Sequence, residues 1–406
     1  MKKVVIISPT YNELENIKKL IPLLETEVFP KIKGVDVQLL IVDDNSPDGT
    51  GEEVKKKKKK WNNIELLLGQ KAGLGAAYIR GMEYAMEKLR ADAVIEFDAD
   101  FQHNPEDIPR LIAAMQDGAD YVIGSRYIKG GAIPKEWGFD RKIKSILGSL
   151  FARFMLFTFS IHDMTSGLKL TSTEYLSRVD LKNLYSKNYA YKLQILYEVV
   201  RLGAKVKEVP IIFFERTKGK SKMDTNDLVE SFMVVMKLRY RDSKRFIKFL
   251  IVGGTGFLFQ LLFQETTIRL GMATVMARFV DNIYYIADLL ALRDGIGAGI
   301  GAEAAIISNF LFNNFWTFSD TRKMKNKIPV VFRFIRFNLS SLFAIFVQAF
   351  AVWLGVKTFG GELFGFLPTR IAIVIPTIIL IVVPLNYLIY NRLIWKTQHL
   401  RNEKTT

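Results

Sequence analysis

The chain lacks cysteine and has only three histidines, which are His103, His162 and His399. Without cysteine there is no disulfide scaffold, no thiolate metal site and no cysteine nucleophile. Three histidines leave little for a zinc site built on imidazole ligands. Hydrophobic residues make up 49% of the 406 positions, which is too many for a disordered chain. The length predicts about two to three domains at ~100–200 residues each.

Charge of one sign is in excess, because 57 Lys and Arg face 41 Asp and Glu and give a formal net charge of +16. Such a chain binds either nucleic acid or an anionic membrane. The apolar excess lies mainly after residue 246, and basic residues flank it. The distribution favours a lipid bilayer, and we expect no nucleic-acid partner.

Residues 1–235 alternate short β-branched runs with charged, amphipathic stretches. The predicted strands are Val4–Ser8, Val37–Val42, Ile64–Leu68, Ala93–Phe97 and Tyr121–Ile123. Strands that alternate with helices predict an α/β domain with a mostly parallel sheet and right-handed crossovers. In such sheets the functional site lies at the carboxyl ends of the strands, where polar clusters follow four of these runs.

Four later runs are long or apolar enough to suggest helices that span a bilayer. They are Phe249–Gln264, Gly295–Phe318, Asn338–Val356 and Ile371–Asn391. Buried helices of a soluble domain are the alternative. Glu303 lies within the second run, and its position there favours a functional role. The alternatives are a hydrogen bond to a partner or a position near the outer boundary.

The region 246–395 also repeats itself, which supports two related helical hairpins. Phe246–Phe249 (FIKF) recurs as Phe334–Phe337 (FIRF), and Asn309–Asn313 recurs as Asn386–Tyr390. The basic residues concentrate before the first run, between the second and third, and after the fourth. By the positive-inside rule these segments and the N-terminal domain face the cytoplasm. A signal peptide is not expected, because Met1-Lys2-Lys3 leads into an apolar run of only ~5 residues.

The triplet Asp98-Ala99-Asp100, with Gln102 two residues on, offers hard oxygen ligands at a strand end. A few protein oxygens combined with substrate phosphates are typical of Mg²⁺ or Mn²⁺ sites. A solvated turn is the common alternative for an isolated Asp-x-Asp triplet. No Gly-x-Gly-x-x-Gly follows the first strand and no Walker loop occurs, which argues against a nicotinamide enzyme or an NTPase.

Six motifs in order carry a resemblance to a known family. They are Pro9–Glu13 (PTYNE), Val42–Gly49 (VDDNSPDG), Lys71–Gly75 (KAGLG), Asp98–His103 (DADFQH), Gly124–Tyr127 (GSRY) and Thr165–Gly167 (TSG). In this order they resemble family 2 glycosyltransferases, and most closely the dolichol-phosphate (polyprenol-phosphate) mannose synthases. Residues 246–395 resemble the four-span GtrA-like domain.

The resemblance implies a GT-A fold and an inverting, metal-dependent transfer of mannose from GDP-mannose to a polyisoprenyl (dolichyl) monophosphate. The matching positions, residue by residue, are Pro9, Tyr11, Glu13, Asp44, Lys71 and Asp98 for the nucleotide; Asp98, Asp100 and Gln102 for Mg²⁺ or Mn²⁺; Arg126, Arg141 and Ser145 for the acceptor phosphate; and Asp100, Arg126, Arg216 and Lys222 for catalysis. Asn104, where the family usually has proline, and His162 before Asp163 depart from the family pattern.

A phosphate acceptor suits the scarcity of histidine, because its second pKa is about 6 and no general base is needed. The nearest alternative is the same reaction with UDP-glucose or another sugar nucleotide. A processive polysaccharide synthase would need a Gln-x-x-Arg-Trp motif, which is absent from the sequence. A translocation protein for lipid-linked sugars is the remaining class.

Two further segments are expected at the membrane surface. Residues 141–159 are basic first and apolar later, which is typical of an interfacial helix, and a core helix is the alternative. Residues 225–245 form the second expected interfacial helix. The run Lys55–Lys60 is interpreted as a solvated helix face, with contact to anionic lipid as the alternative.

Overall fold

The computed structural model describes residues 1–215, 225–284, 289–323, 328–360, 362–363 and 367–397. The chain divides into two compact units, Met1–Arg241 and Asp242–Thr406. The first is an α/β unit and the second is helical.

A seven-stranded sheet forms the centre of the first unit. Its strands are β1 (Lys2–Thr10), β2 (Val35–Asp43), β3 (Ile64–Leu68), β4 (Ala93–Glu96), β5 (Tyr121–Ser125), β6 (Lys169–Ser172) and β7 (Val206–Pro210). The order is β3-β2-β1-β4-β6-β5-β7. Strand β6 is antiparallel to both β4 and β5, and the other pairs are parallel. The prediction of a mostly parallel sheet is confirmed.

Helices cover both faces of this sheet. They are α1 (Leu14–Leu23), α2 (Thr50–Lys58), α3 (Leu74–Glu87), α4 (Ile108–Gln116), α5 (Phe139–Leu156), α6 (Thr173–Leu176) and α7 (Tyr191–Arg201). Because strand side chains alternate, β1 supplies Val4 and Ile6 to one apolar cluster and Val5 and Ile7 to the other. Burial on both faces explains why the central strands read as continuous apolar runs.

The five predicted strands all occur, with ends that differ by at most two residues. Strands β6 and β7 were not predicted. Their sequences, KLTS and VKEVP, place lysines and a glutamate among few apolar residues. Lys169 is nevertheless fully buried in β6, so partners elsewhere in the fold offset a pattern that is unfavourable locally.

The second unit contains the remaining long helices. They are the latter part of α8 (Thr225–Arg269), then α9 (Met272–Tyr284), α10 (Leu289–Phe312), α11 (Val330–Phe359), α12 (Thr369–Thr377) and α13 (Val383–Ile389). Four stretches are long and apolar enough to cross a bilayer: Asn226–Arg269, Leu292–Thr317, Val330–Phe359 and Thr369–Ile394. They contain nearly all of the four predicted runs; only Phe318 lies just outside.

The sequence repeat has a counterpart in matching ring contacts. Phe310 meets Phe334 edge to face at 5.0 Å between ring centroids, and Tyr387 meets Phe246 in the same way at 4.9 Å. Each aromatic pair joins the start of one hairpin to the end of the other. The two hairpins are therefore interlocked through equivalent residues.

A glycine sets the distance between α3 and the sheet. A Cβ on Gly81 would lie 2.6 Å from Cγ2 of Ile7 and 3.0 Å from Cγ2 of Val42. We therefore expect Gly81→Ala to destabilise the protein by about 1–3 kcal/mol through overpacking. The measurement is the melting temperature of the purified full chain in detergent.

The matched control is Gly148→Ala in α5, where an added Cβ meets no described heavy atom within 4 Å. This change should leave the melting temperature unchanged or raise it, since alanine favours the helix. Equal losses in the two variants would contradict a close helix–sheet approach at Gly81.

Candidate active site

A cavity of about 410 Å³ opens in the first unit where the parallel strands end. Pro9 lies near the end of β1, and Asp44, Asp98 and Arg126 each follow a strand within two residues. The chain must turn at these points, so their side chains are brought to one edge of the sheet.

The structure brings ten of the predicted site residues together in the wall of this cavity. They are Pro9, Tyr11, Glu13, Asp44, Lys71, Asp98, Asp100, Gln102, Arg126 and Arg141. Ser145 is not in the cavity wall, and its hydroxyl is hydrogen-bonded to the Tyr127 hydroxyl at 2.6 Å. Arg216 and Lys222 lie outside the described residues.

One side of the cavity combines a cation, an aromatic ring and two carboxylates. The Lys71 ammonium lies 3.7 Å from the ring centroid of Tyr11, which is cation–π contact distance. Asp44 is paired with Arg80 of α3, and Glu13 accepts a hydrogen bond from the Asn16 amide at 2.6 Å. This side can recognise a group that offers a flat ring, hydroxyls and negative charge.

Asp98 and Asp100 stand at the end of β4, and the surroundings orient both carboxylates. The Tyr78 hydroxyl donates to Asp98 Oδ1 at 2.6 Å, and the backbone N–H of Gln102 donates to Asp100 Oδ1 at 3.0 Å. Among the described residues no three His, Asp or Glu side chains form a metal cluster by themselves. The two carboxylates and the Gln102 amide fit a divalent cation whose other ligands are phosphate and water.

The interior behind these carboxylates contains a cluster of buried charged side chains that no sequence motif indicated. Glu96, Lys169 and Lys192 are all buried, and the Lys192 ammonium lies 3.9 Å from Glu96. Burial disfavours the charged form of Lys192, but Asp98 and Glu96 outweigh it and raise the pKa of this lysine. Burial lowers the pKa of Lys169 to about 8. A fixed internal cation therefore faces the carboxylates of the cavity.

Arg126 is held by the carboxylate of Asp163, which is completely buried. Nε and Nη2 of the guanidinium donate to the two Asp163 oxygens at 2.7 and 2.8 Å, and the Arg126 backbone N–H donates to Oδ2 at 3.0 Å. Although burial disfavours both charges, their mutual attraction raises the pKa of Arg126 and lowers that of Asp163. The cavity thus contains an arginine that is permanently charged and fixed in direction.

Aromatic side chains form the wall next to Arg141. The Arg141 guanidinium lies 4.1 Å from the ring centroid of Trp137, and Trp137 packs edge to face on Phe213 at 5.7 Å. Phe213 in turn contacts the ring of His103 at 4.8 Å. Burial lowers the pKa of His103 to about 3, so its imidazole is neutral at physiological pH.

Several cavity residues were not predicted as site residues, among them Trp137, Asn188, Tyr189, Phe213 and Asp227. Trp137 lies four residues before Arg141, and this spacing was a usable signal for a stacked cation. The others come from loops and a helix start that follow no predicted strand. Their place in the wall is decided by tertiary packing and could not be read locally.

Two families match the sequence over separate regions. Residues 5–180 match the family described as glycosyl transferase family 2. Residues 248–395 match the family described as GtrA/DPMS, transmembrane domain. The chain is therefore a glycosyltransferase joined to a transmembrane domain, and its sheet unit has the predicted GT-A fold class.

Named relatives are similar over most of their length. A dolichol-phosphate mannosyltransferase of Pyrococcus furiosus is 30% identical over 87% of this chain and 90% of that protein. A polyprenol monophosphomannose synthase of Mycolicibacterium smegmatis is 36% identical over 58% of this chain and 86% of that protein. Among solved structures, glucosyl-3-phosphoglycerate synthase of Mycobacterium tuberculosis is similar with a TM-score of 0.41 and 18% identity, over 59% of this chain and 80% of that chain. The chain belongs to glycosyl transferase family 2, in the group of membrane-associated members that carry a GtrA/DPMS domain.

Proposed function

We propose that the protein transfers mannose from GDP-mannose to a polyisoprenyl (dolichyl) monophosphate, with inversion and with the help of a divalent cation. The products are polyprenyl-phosphate-mannose and GDP. The observation that carries the proposal is one cavity that holds oriented carboxylates and two arginines together. The similarity to a dolichol-phosphate mannosyltransferase across both units supports the same activity.

The nucleotide is assigned to the side of the cavity formed by Pro9, Tyr11, Glu13, Asp44 and Lys71. Carboxylates accept hydrogen bonds from the base and ribose, and a lysine over an aromatic ring balances the negative diphosphate. Asp44 is paired with Arg80, which fixes the position of its carboxylate as an acceptor.

Asp98, Asp100 and Gln102 would hold Mg²⁺ or Mn²⁺ next to the donor diphosphate. When bound, such a cation stabilises the negative charge that develops on the leaving diphosphate. The chain's own contribution is to orient the ligands, through Tyr78 on Asp98 and the loop backbone on Asp100. Arg216 and Lys222 are proposed to assist the departure of the diphosphate.

The acceptor phosphate is assigned to Arg126 and Arg141, with Ser145 nearby on the same helix as Arg141. Two guanidinium groups suit a phosphate monoester by their fixed positive charge and their N–H donors. In Arg126, Nε and Nη2 are bound to Asp163 and Thr165, so Nη1 is the group assigned to the phosphate. The acceptor oxygen is ionised near neutral pH and needs no base. This agrees with His103, whose low pKa makes it a poor proton acceptor.

The acceptor lipid requires that this side of the enzyme meets the bilayer. Helix α5 carries Arg141 at its start and exposes Leu147, Leu150 and Phe154 by 55%, 52% and 63%. Exposed apolar side chains that follow a basic start are typical of a helix at the headgroup level. We propose that residues 141–159 and 225–245 are interfacial and that the catalytic unit is cytoplasmic.

The donor is tested by incubating the purified full chain with Mn²⁺, short-chain polyprenyl phosphate and a panel of labelled sugar nucleotides. We expect transfer from GDP-mannose, and a polyprenyl-phosphate-mannose product identified by mass spectrometry. Transfer from UDP-glucose but not GDP-mannose would establish the alternative donor and refute the mannose assignment.

The metal site is tested with Asp100→Ala. Loss of this carboxylate should lower the transfer rate by roughly 10²–10³-fold, the scale of losing one electrostatic stabiliser. Titration with Mn²⁺ should also show weaker cation dependence. Asp117→Ala serves as the control, since Asp117 pairs with Lys207 on the surface. Undiminished transfer in Asp100→Ala would refute the assignment of this carboxylate to the catalytic metal site.

The orientation is testable because the chain has no cysteine. A single cysteine at the exposed position Lys59 should react with a membrane-impermeant maleimide only after cells are permeabilised. A cysteine at the exposed position Thr358, in the predicted outer loop, should react in intact cells. The reverse pattern would place the catalytic unit outside.

A further inference from the structure

We propose that Glu208 is a positioning residue for the acceptor phosphate, and that it acts through Asp163 on Arg126. This inference rests on the proposed function, because it takes Arg126 as a ligand of that phosphate. Glu208 lies on β7 and does not line the cavity. No motif of the sequence singles it out.

Glu208 gathers three donors from one short loop. Its Oε1 accepts the backbone N–H of Asp163 at 3.0 Å, and its Oε2 accepts the backbone N–H of His162 at 2.9 Å. The His162 ring Nδ1 also lies 2.7 Å from Oε2. A single carboxylate therefore fixes both residues of the loop that presents Asp163.

Asp163 in turn fixes the position of the Arg126 guanidinium. Three N–H groups of Arg126 are bound to the Asp163 carboxylate, and Nη2 also donates to the Thr165 hydroxyl at 2.8 Å. With Nε and Nη2 engaged, the guanidinium cannot rotate without breaking buried bonds. The direction of its charge in the cavity is thus set by the position of the Asp163 loop.

Glu208 and Arg126 are both positioned by the sheet, on or next to two adjacent strands. Strands β5 and β7 pair in parallel with Ile123 opposite Glu208, and Arg126 follows β5 directly. Glu208 and Arg126 are therefore attached to adjacent strands whose register is fixed by backbone hydrogen bonds. A continuous series of hydrogen bonds therefore runs from Glu208 on β7, through residues 162–163, to Arg126 after β5.

Glu208→Gln retains the size of the side chain but removes its charge and one of its two acceptor oxygens. The loop would then shift, and a small misplacement of Arg126 is costly for binding a phosphate that reacts. We expect the KM for polyprenyl phosphate to rise by roughly tenfold, while the KM for GDP-mannose stays within twofold. Glu106→Gln, which removes an exposed partner of Lys31, should change neither value.

Whether Glu208 acts through Arg126 is tested by introducing Glu208→Gln into the Arg126→Lys variant. Arg126→Lys alone should raise the KM for polyprenyl phosphate. If Glu208 acts through Arg126, Glu208→Gln should add less than twofold in that background. An additive effect, or equal increases in the KM values of donor and acceptor, would overturn the inference. If Arg126→Lys leaves the acceptor KM unchanged, the proposed acceptor site fails independently of Glu208.

A melting temperature accompanies each variant, so that general unfolding is recognised. Should Glu208→Gln not fold, His162→Ala provides the second route. It removes the ring contact and keeps both backbone bonds to Glu208. We then expect a two- to threefold rise in the acceptor KM alone, and an unchanged KM would contradict the proposal.

Discussion

The ion pair of Arg126 and Asp163 is the interaction on which the proposed acceptor side of the cavity depends. Breaking a buried pair by removing one partner typically costs about 3–5 kcal/mol, because the other charge is left without compensation. Further hydrogen bonds stabilise the pair. The backbone N–H groups of Arg126 and Thr165 both donate to the Asp163 carboxylate, and Arg126 Nη2 donates to the Thr165 hydroxyl. In the proposed assignment, this cation is kept from adjusting to a mobile lipid headgroup, and the substrate must adjust instead.

The proposed donor side also holds its charged groups in fixed directions, but there the groups that face the cavity are carboxylates. Asp98 and Asp100 are oriented by Tyr78 and by the loop backbone, while the buried lysines 169 and 192 lie with Glu96 under the sheet edge. The positive charge of the buried lysines limits the repulsion between the neighbouring carboxylates when no substrate is present. The site proposed for highly charged reactants therefore has opposite charges placed near one another within the protein.

The predictable part of the fold was the part in which local pattern and tertiary environment agree. The central stretches of β1 (Val4–Ile7) and β2 (Leu39–Val42) are apolar because both faces are covered, and the polar residues that follow them pointed to the cavity. β6 escaped prediction because Lys169 is buried in it against the usual preference, and the partners of its ammonium include the Lys192 carbonyl, which is distant in sequence. Motifs identified most cavity residues, whereas Phe213 and Tyr189 enter it from loops, which have no such periodicity.

The interlocked hairpins of the second unit have a consequence for biosynthesis. Phe246 packs on Tyr387, which follows it by 141 residues, and Phe310 packs on Phe334 and Phe337 of α11. The first hairpin that leaves the ribosome therefore has no completed aromatic core of its own. It must remain in the bilayer without its final partners until the last helix has been translated and inserted. Truncation of the last helix would remove Tyr387 and Tyr390, which are the ring partners of Phe246 and Phe249 on α8.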